Sequence, residues 1–227
     1  YGAGISHNGT TLYGQASNGS FNVQSTSTIV AGEWQHVAFT AKNGEQKLYH
    51  NGVLKTTATN STVEENGSHF AIGSGNHLGT PNSFFNGQID EVAMWDAYLT
   101  ESDVTSIYNN GKVIDLSNST AYAVDRTANL ELWLRCGDKA EPESTTSIAR
   151  SDFYTDFDGT DDVVELGSDA SIDNVFVGGA TLTAWINPSS DGENNFGRIF
   201  DKSTATSGAD GFYFLVTDES SGNCELR

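Results

Sequence analysis

The chain has 227 residues with 30 Asp and Glu against 11 Lys and Arg, a formal net charge of −19. Phosphate backbones are bound by clustered Lys and Arg, so this balance excludes a nucleic acid as partner. It fits a well-solvated surface or divalent cations, and no run approaches the ~20 apolar residues of a membrane helix.

Residues 1–30 alternate small polar and apolar side chains and predict two or three exposed strands, with turns at Asn8-Gly9 and Asn18-Gly19. The chain opens at Tyr1 without initiator Met or signal peptide, as expected of a segment cut from a longer protein. From 36 to 41 the alternation is strict: Val37, Phe39 and Ala41 face one side, His36, Ala38 and Thr40 the other. Asn51-Gly52 between Leu48-Tyr49-His50 and Val53-Leu54-Lys55 predicts a hairpin, because a type I′ turn needs positive φ at both centres. A short strand at 69–73, a loop from Ser74 to Ser83 and a strand at 87–95 follow, the last with Val92 and Met94 opposite Glu91, Ala93 and Trp95. Thr100 with Asp103 three residues on caps a helix carrying Val104, Ile107 and Tyr108, which ends at Asn110-Gly111. One helix in an all-β chain is expected to cover an open edge or rim.

Residues 112–127 are polar and aperiodic and read as a linker. Strands are expected at 130–134, 153–157, 162–166, 181–187, 198–201, 211–217 and 223–226, with an irregular stretch from Asp138 to Ser151. The fold class is therefore all-β. A disulfide between Cys136 and Cys224 and two separate thiols are both open.

Asp156, Asp158, Asp161 and Asp162 form the best cation candidate. Ca²⁺ wants several carboxylate and carbonyl oxygens, and Gly159 lets the backbone turn inward. A polar turn whose Asp side chains cap backbone N–H groups is the alternative. The loop Gly75 to Phe84, with His77, Asn82 and Phe84, and the stretch Asp191 to Phe196, with Asn194 and Phe196, offer amides beside aromatic rings, the chemistry of a sugar-binding rim; solvated turns are the alternative. No zinc-protease helix, nucleophile elbow or phosphate loop occurs, so no catalytic residue is assigned. The sequons at Asn8, Asn18, Asn60, Asn66 and Asn118 are about as many as an Asn-, Ser- and Thr-rich chain carries by chance.

Five segments carry a family resemblance: Glu33-Trp34 with His36-Val37-Ala38, Leu48-Tyr49 with Asn51-Gly52, Gly87 with Ile89-Asp90-Glu91-Val92, Phe157-Asp158-Gly159-Thr160-Asp161-Asp162, and Leu182 with Ala184-Trp185-Ile186. Together they resemble the laminin-G-like, concanavalin A-like lectin/glucanase jelly rolls, in which the Phe157-type segment normally comes first. The resemblance implies an antiparallel jelly-roll sandwich. It divides the chain into 1–111 as the C-terminal half of a module, 112–127 as linker and 128–227 as an N-terminal half. The second half belongs to the next module of a tandem array, as in marine phage proteins, or to the same domain if the module is permuted.

The resemblance further implies that Asp90 lies beside Asp158 and Asp162, where a structural Ca²⁺ would tie the halves together, and that Trp34, Trp133 and Trp185 occupy core positions, Trp95 being less certain. Glucanase relatives carry alternating Glu and Asp on one strand face; this chain has no such motif, and Asp90-Glu91 are adjacent. The expected function is a non-catalytic binding or adhesion module for surface glycans, on an extracellular or virion surface. An architectural module that pairs with neighbouring copies by exchanging halves, and an accessory module of a polysaccharide-degrading enzyme, are the alternatives.

Overall fold

Alternation builds the central strands. In a computed structural model that describes residues 12–16, 23–25, 29–59, 70–77, 80–136, 154–167, 175, 178–203, 211–218 and 224–226, Val37, Phe39 and Ala41 enter the core as expected. They belong to β3 (Gln35–Lys42), which pairs with β4 (Glu45–His50), itself paired with β5 (Val53–Thr59). The Asn51-Gly52 turn forms with φ of 49° and 73°, the left-handed geometry that Asn and Gly accept.

Two sheets result. The first runs β12 (Val164–Gly167), β6 (Phe70–Ile72), β14 (Gly197–Ser203), β15 (Gly211–Asp218), β1 (Leu12–Ala16), β2 (Val23–Ser25), with β16 (Cys224–Leu226) also on β15. The second runs β10 (Leu130–Leu134), β9 (Asn86–Trp95), β13 (Ala180–Pro188), β3, β4, β5, with β11 (Thr155–Asp158) also on β9. Phe70, Ile72, Ile199 and Phe200 of the first sheet meet Phe39, Leu48, Ile89, Met94, Leu182 and Ile186 of the second in one buried core. Every pairing between neighbouring strands is antiparallel, which gives the all-β sandwich expected from the sequence.

Both sheets draw strands from residues 12–95 and from residues 130–226. β13 lies between β3 and β9, and β10 and β11 share the outer edge of β9. The predicted segments 1–111 and 128–227 thus meet strand by strand within this chain.

The loop expected from Ser74 to Ser83 contains a small hairpin, β7 (Gly75–His77) with β8 (Thr80–Asn82). The turns expected at Asn8-Gly9 and Asn18-Gly19 lie outside the described residues.

The second sheet has a covered outer face. Ala38, Tyr49, Ala93 and Trp95 present an apolar patch away from the sandwich core, and α1 (Glu101–Tyr108) lays Val104 and Ile107 on it. Thr100 caps the helix with the capping box expected, and Asn109, at φ 46°, ends it one residue early. The helix covers this face rather than a strand edge, because the patch would otherwise expose Trp95, which is fully buried.

The predicted linker 112–127 completes the cover. Leu116, Ala121 and Tyr122 are buried against the same patch. Trp95 Nε1 donates to Tyr122 Oη at 3.3 Å, and Tyr122 Oη donates to the Leu116 carbonyl at 2.6 Å. Asp103, fully buried, accepts from the backbone N–H groups of Thr100 and Val124, which ties the helix to this strap.

Candidate functional site

The strap leaves the other half of the outer face with a different composition. Strand register places Asp156 opposite Gln88, Gln88 opposite Asn187, and Ile186 opposite Gln35, which brings Trp34 next to Asn187. Asp156, Gln88, Asn187 and Trp34 therefore form one row across β11, β9, β13 and the start of β3. Asn187 Nδ2 donates to Gln88 Oε1 at 2.9 Å, and Asn187 Oδ1 has no partner among the described residues.

Two aromatic rings meet on this face, Trp34 of the row and Tyr154, whose neighbour Thr155 pairs with Ile89. The centroids of Trp34 and Tyr154 are 6.0 Å apart, tilted by 58°. Their strands are separated by β9 and β13, three spacings or about 14 Å. The rings meet only by reaching toward each other across β9 and β13. Tyr154 is 38% exposed and Trp34 is half-buried. Gln35 sets the approach of Trp34: its side-chain amide donates to the Val30 and Glu33 carbonyls, at 2.9 and 3.1 Å, and accepts from Val30 N–H at 3.1 Å. Gly32 N–H donates to the Pro188 carbonyl at 2.9 Å, which fastens that turn to the end of β13.

Below, the face becomes buried and charged. Trp185 stacks on Tyr108 of α1, with centroids 5.9 Å apart, and meets the His36 ring at 5.3 Å, tilted by 60°. His36 is buried, and neither ring nitrogen has a hydrogen-bond partner among the described residues. Burial, and then His50, hold its pKa down at about 3. Glu91 sits at φ 49° in a bulge where β9 gains one residue on β13. Trp133 Nε1 donates to Glu91 Oε2 at 2.5 Å, and Arg135 Nε lies 3.4 Å from Oε1. Burial raises the Glu91 carboxyl to about 7 even against the Trp133 hydrogen bond.

Residues 2–105 match the model of the Laminin_G_3 family, of the concanavalin A-like lectin/glucanases superfamily. That segment is similar to the concanavalin A-like lectins and glucanases. No curated protein and no solved structure matches the chain.

Within the sandwich the predicted cation residues separate. Side-chain oxygens of Asp158, Asp161 and Asp162 lie within 4.8 Å of one another at the turn between β11 and β12. Two of these carboxylates also hold the turn: Asp158 N–H donates to Asp162 Oδ2 at 2.8 Å, and Thr160 N–H to Asp158 Oδ1 at 2.7 Å. Gly159, at φ 80°, completes the turn against Asn86. Asp90 does not join them. Asp158 pairs with Asn86, four residues along β9 from Asp90, or roughly 13 Å at the rise of a strand. Asp90 is buried instead, its Oδ1 accepting from Glu91 N–H at 2.8 Å.

The two rim segments do come together. Glu193 N–H donates to the Phe84 carbonyl at 2.8 Å, Ser83 N–H to Glu193 Oε2 at 2.7 Å, and Arg198 N–H to the Ser83 carbonyl at 2.9 Å. Gly192 is required there: φ is 76°, and a Cβ would stand 2.3 Å from the Phe84 carbonyl oxygen. Asn194 and Phe196 are exposed and Asn82 is half-buried. Phe84 is buried, so it offers no face for stacking. The side chain of His77 lies outside the described residues.

The tryptophans depart from expectation. None of Trp34, Trp133 and Trp185 packs in the core between the sheets; Trp133 joins the strap cluster with Trp95. Tyr154, Gln88 and Asn187 were not singled out by their sequence, which places them in unrelated segments. Only strand register brings Gln88 and Asn187 into one row with Asp156 and Trp34.

Proposed function

We propose that the chain is a non-catalytic glycan-binding module whose site is the outer face of the second sheet. The observation that carries this reading is the Trp34–Tyr154 ring pair on the same face as the Gln88–Asn187 amide pair. Pyranose rings present C–H faces to aromatic rings and hydroxyls at their edges. A sugar stacked on the pair has the Gln88 and Asn187 amides and the Asp156 carboxylate within the same row. The concanavalin A-like assignment supports a carbohydrate-binding or structural module.

Binding without catalysis is favoured by the surroundings of Glu91. The space beside Glu91, His36 and the strap is only about 10 Å³, room for roughly one water and not for a sugar ring. A Ca²⁺ on Asp158, Asp161 and Asp162 belongs to this reading as a structural ion, without Asp90. An extracellular setting fits the family and the acidic surface.

A glycan array with Trp34→Ala and Tyr154→Ala tests the reading. Hits of the native protein that both variants lose support it, provided their melting temperatures are kept. Hits that survive both variants and vanish with Phe196→Ala move the site to the rim. An array without hits overturns the reading.

A further inference from the structure

A cavity of about 530 Å³ opens beside β10 and β11, in a region the glycan site does not use. Protein interiors are packed to crystal-like density, with few voids larger than a water molecule. Its inner wall is apolar: Ile72, Ile89, Val92, Leu134, Phe157 and Val164, all side chains of the inter-sheet core. Its other wall is Trp133, Arg135, Asp115 and Ser117, of which Trp133 packs with the strap cluster on the outside of the sheet.

The two walls lie on opposite faces of the second sheet. They connect through a notch, since β10 pairs with Val92–Trp95 and β11 with Asn86–Ile89, leaving the edge of β9 at Asp90 and Glu91 between them. Cys136 and Thr155 line the cavity at this notch. The cavity thus has a dry end between the sheets and a polar end under the strap.

The charges at the polar end select the headgroup. Arg135 already faces Glu91 at 3.4 Å, and Asp115 adds a second carboxylate. An anionic head gains little there and is opposed by Asp115. Ser117 Oγ donates to Asp115 Oδ1 at 2.6 Å, which leaves hydroxyl and carboxylate lone pairs for an incoming O–H. The volume suits a small-molecule ligand.

We propose that this cavity binds a neutral amphiphile, with a hydrocarbon chain between the sheets and a hydroxyl head against Asp115 and Ser117. The proposal uses no residue of the glycan site, so either can fail alone.

The neutral fluorophore N-phenyl-1-naphthylamine tests it. Expected are a fluorescence gain on binding, displacement by 1-decanol, and at least tenfold weaker displacement by decanoate. Val164→Phe, which fills the apolar end, is expected to abolish the gain while Trp34→Ala leaves it intact. No gain, a gain that Val164→Phe preserves, or equal displacement by decanoate overturns the proposal. Should Val164→Phe not fold, Cys136 decides: in a Cys224→Ser background 1-decanol is expected to slow its maleimide labelling at least fivefold, and unchanged labelling overturns the proposal.

Discussion

The carboxylate of Glu91 and the indole of Trp133 meet at 2.5 Å across the bulge of β9, binding β9 to the edge strand β10. Burial keeps the carboxyl protonated up to about 7, against 4.5 ordinarily. The raised folded pKa makes its contribution complete below pH 4.5 and progressively lost toward pH 7. Relative to Glu91→Gln, the native protein should lose about 1.4 kcal/mol per pH unit across that window and then level off. Urea denaturation of both proteins between pH 4 and 8 measures the difference. A flat difference would show that Glu91 titrates normally.

His36 works in the opposite direction. Its folded pKa of about 3 lies below the ordinary 6.5, so its contribution is present above pH 6.5 and lost as pH falls. Replacing it by Phe keeps a ring against Trp185 and Tyr108 and removes two buried nitrogens. His36→Phe should melt above the native protein, with an advantage growing by about 1.4 kcal/mol per pH unit below 6.5. Thermal unfolding at pH 7 and pH 5 makes the comparison.

Tyr122→Phe should loosen the strap. It removes the donor to the Leu116 carbonyl and the acceptor for Trp95 Nε1, leaving both buried and unsatisfied. The cost is about 2 kcal/mol, a fall in melting temperature of roughly 4–8 °C for a domain of this size. Faster hydrogen exchange of the Trp95 indole N–H would locate the effect.

Gly192→Ala should separate the rim segments. The left-handed backbone and the close Phe84 carbonyl make any side chain there strained, and about 2 kcal/mol or more of stability should be lost. Chemical denaturation reads the loss. A neutral outcome would mean that the two segments are not held together as described.

Much of the fold is legible locally. Asn51-Gly52 announces its hairpin, and Thr100 with Asp103 announces the helix, because turn and cap chemistry act within four residues. The strap was illegible for the same reason. Leu116, Ala121 and Tyr122 follow no period, and their burial depends on an apolar patch supplied by β3, β4 and β9. Alternation assigned Trp95 to a side of its strand but could not tell that the outer side is covered too. The candidate site was least visible: Trp34 and Tyr154 lie far apart in the chain, and only the intervening β9 and β13 define their meeting. Asp90 failed as a cation ligand because proximity of strands does not give proximity along them.

The position of β13 governs how the chain can be made. Until residue 188 has left the ribosome, β3 and β9 each lack the neighbour that joins them. A nascent chain therefore displays two bare strand edges, rich in apolar side chains, while the rest is still being translated. Contacts this distant in sequence slow folding, and exposed edges invite association with other chains. Production at reduced temperature, or with holdase chaperones in excess, should therefore raise the soluble yield more than any change to the finished surface.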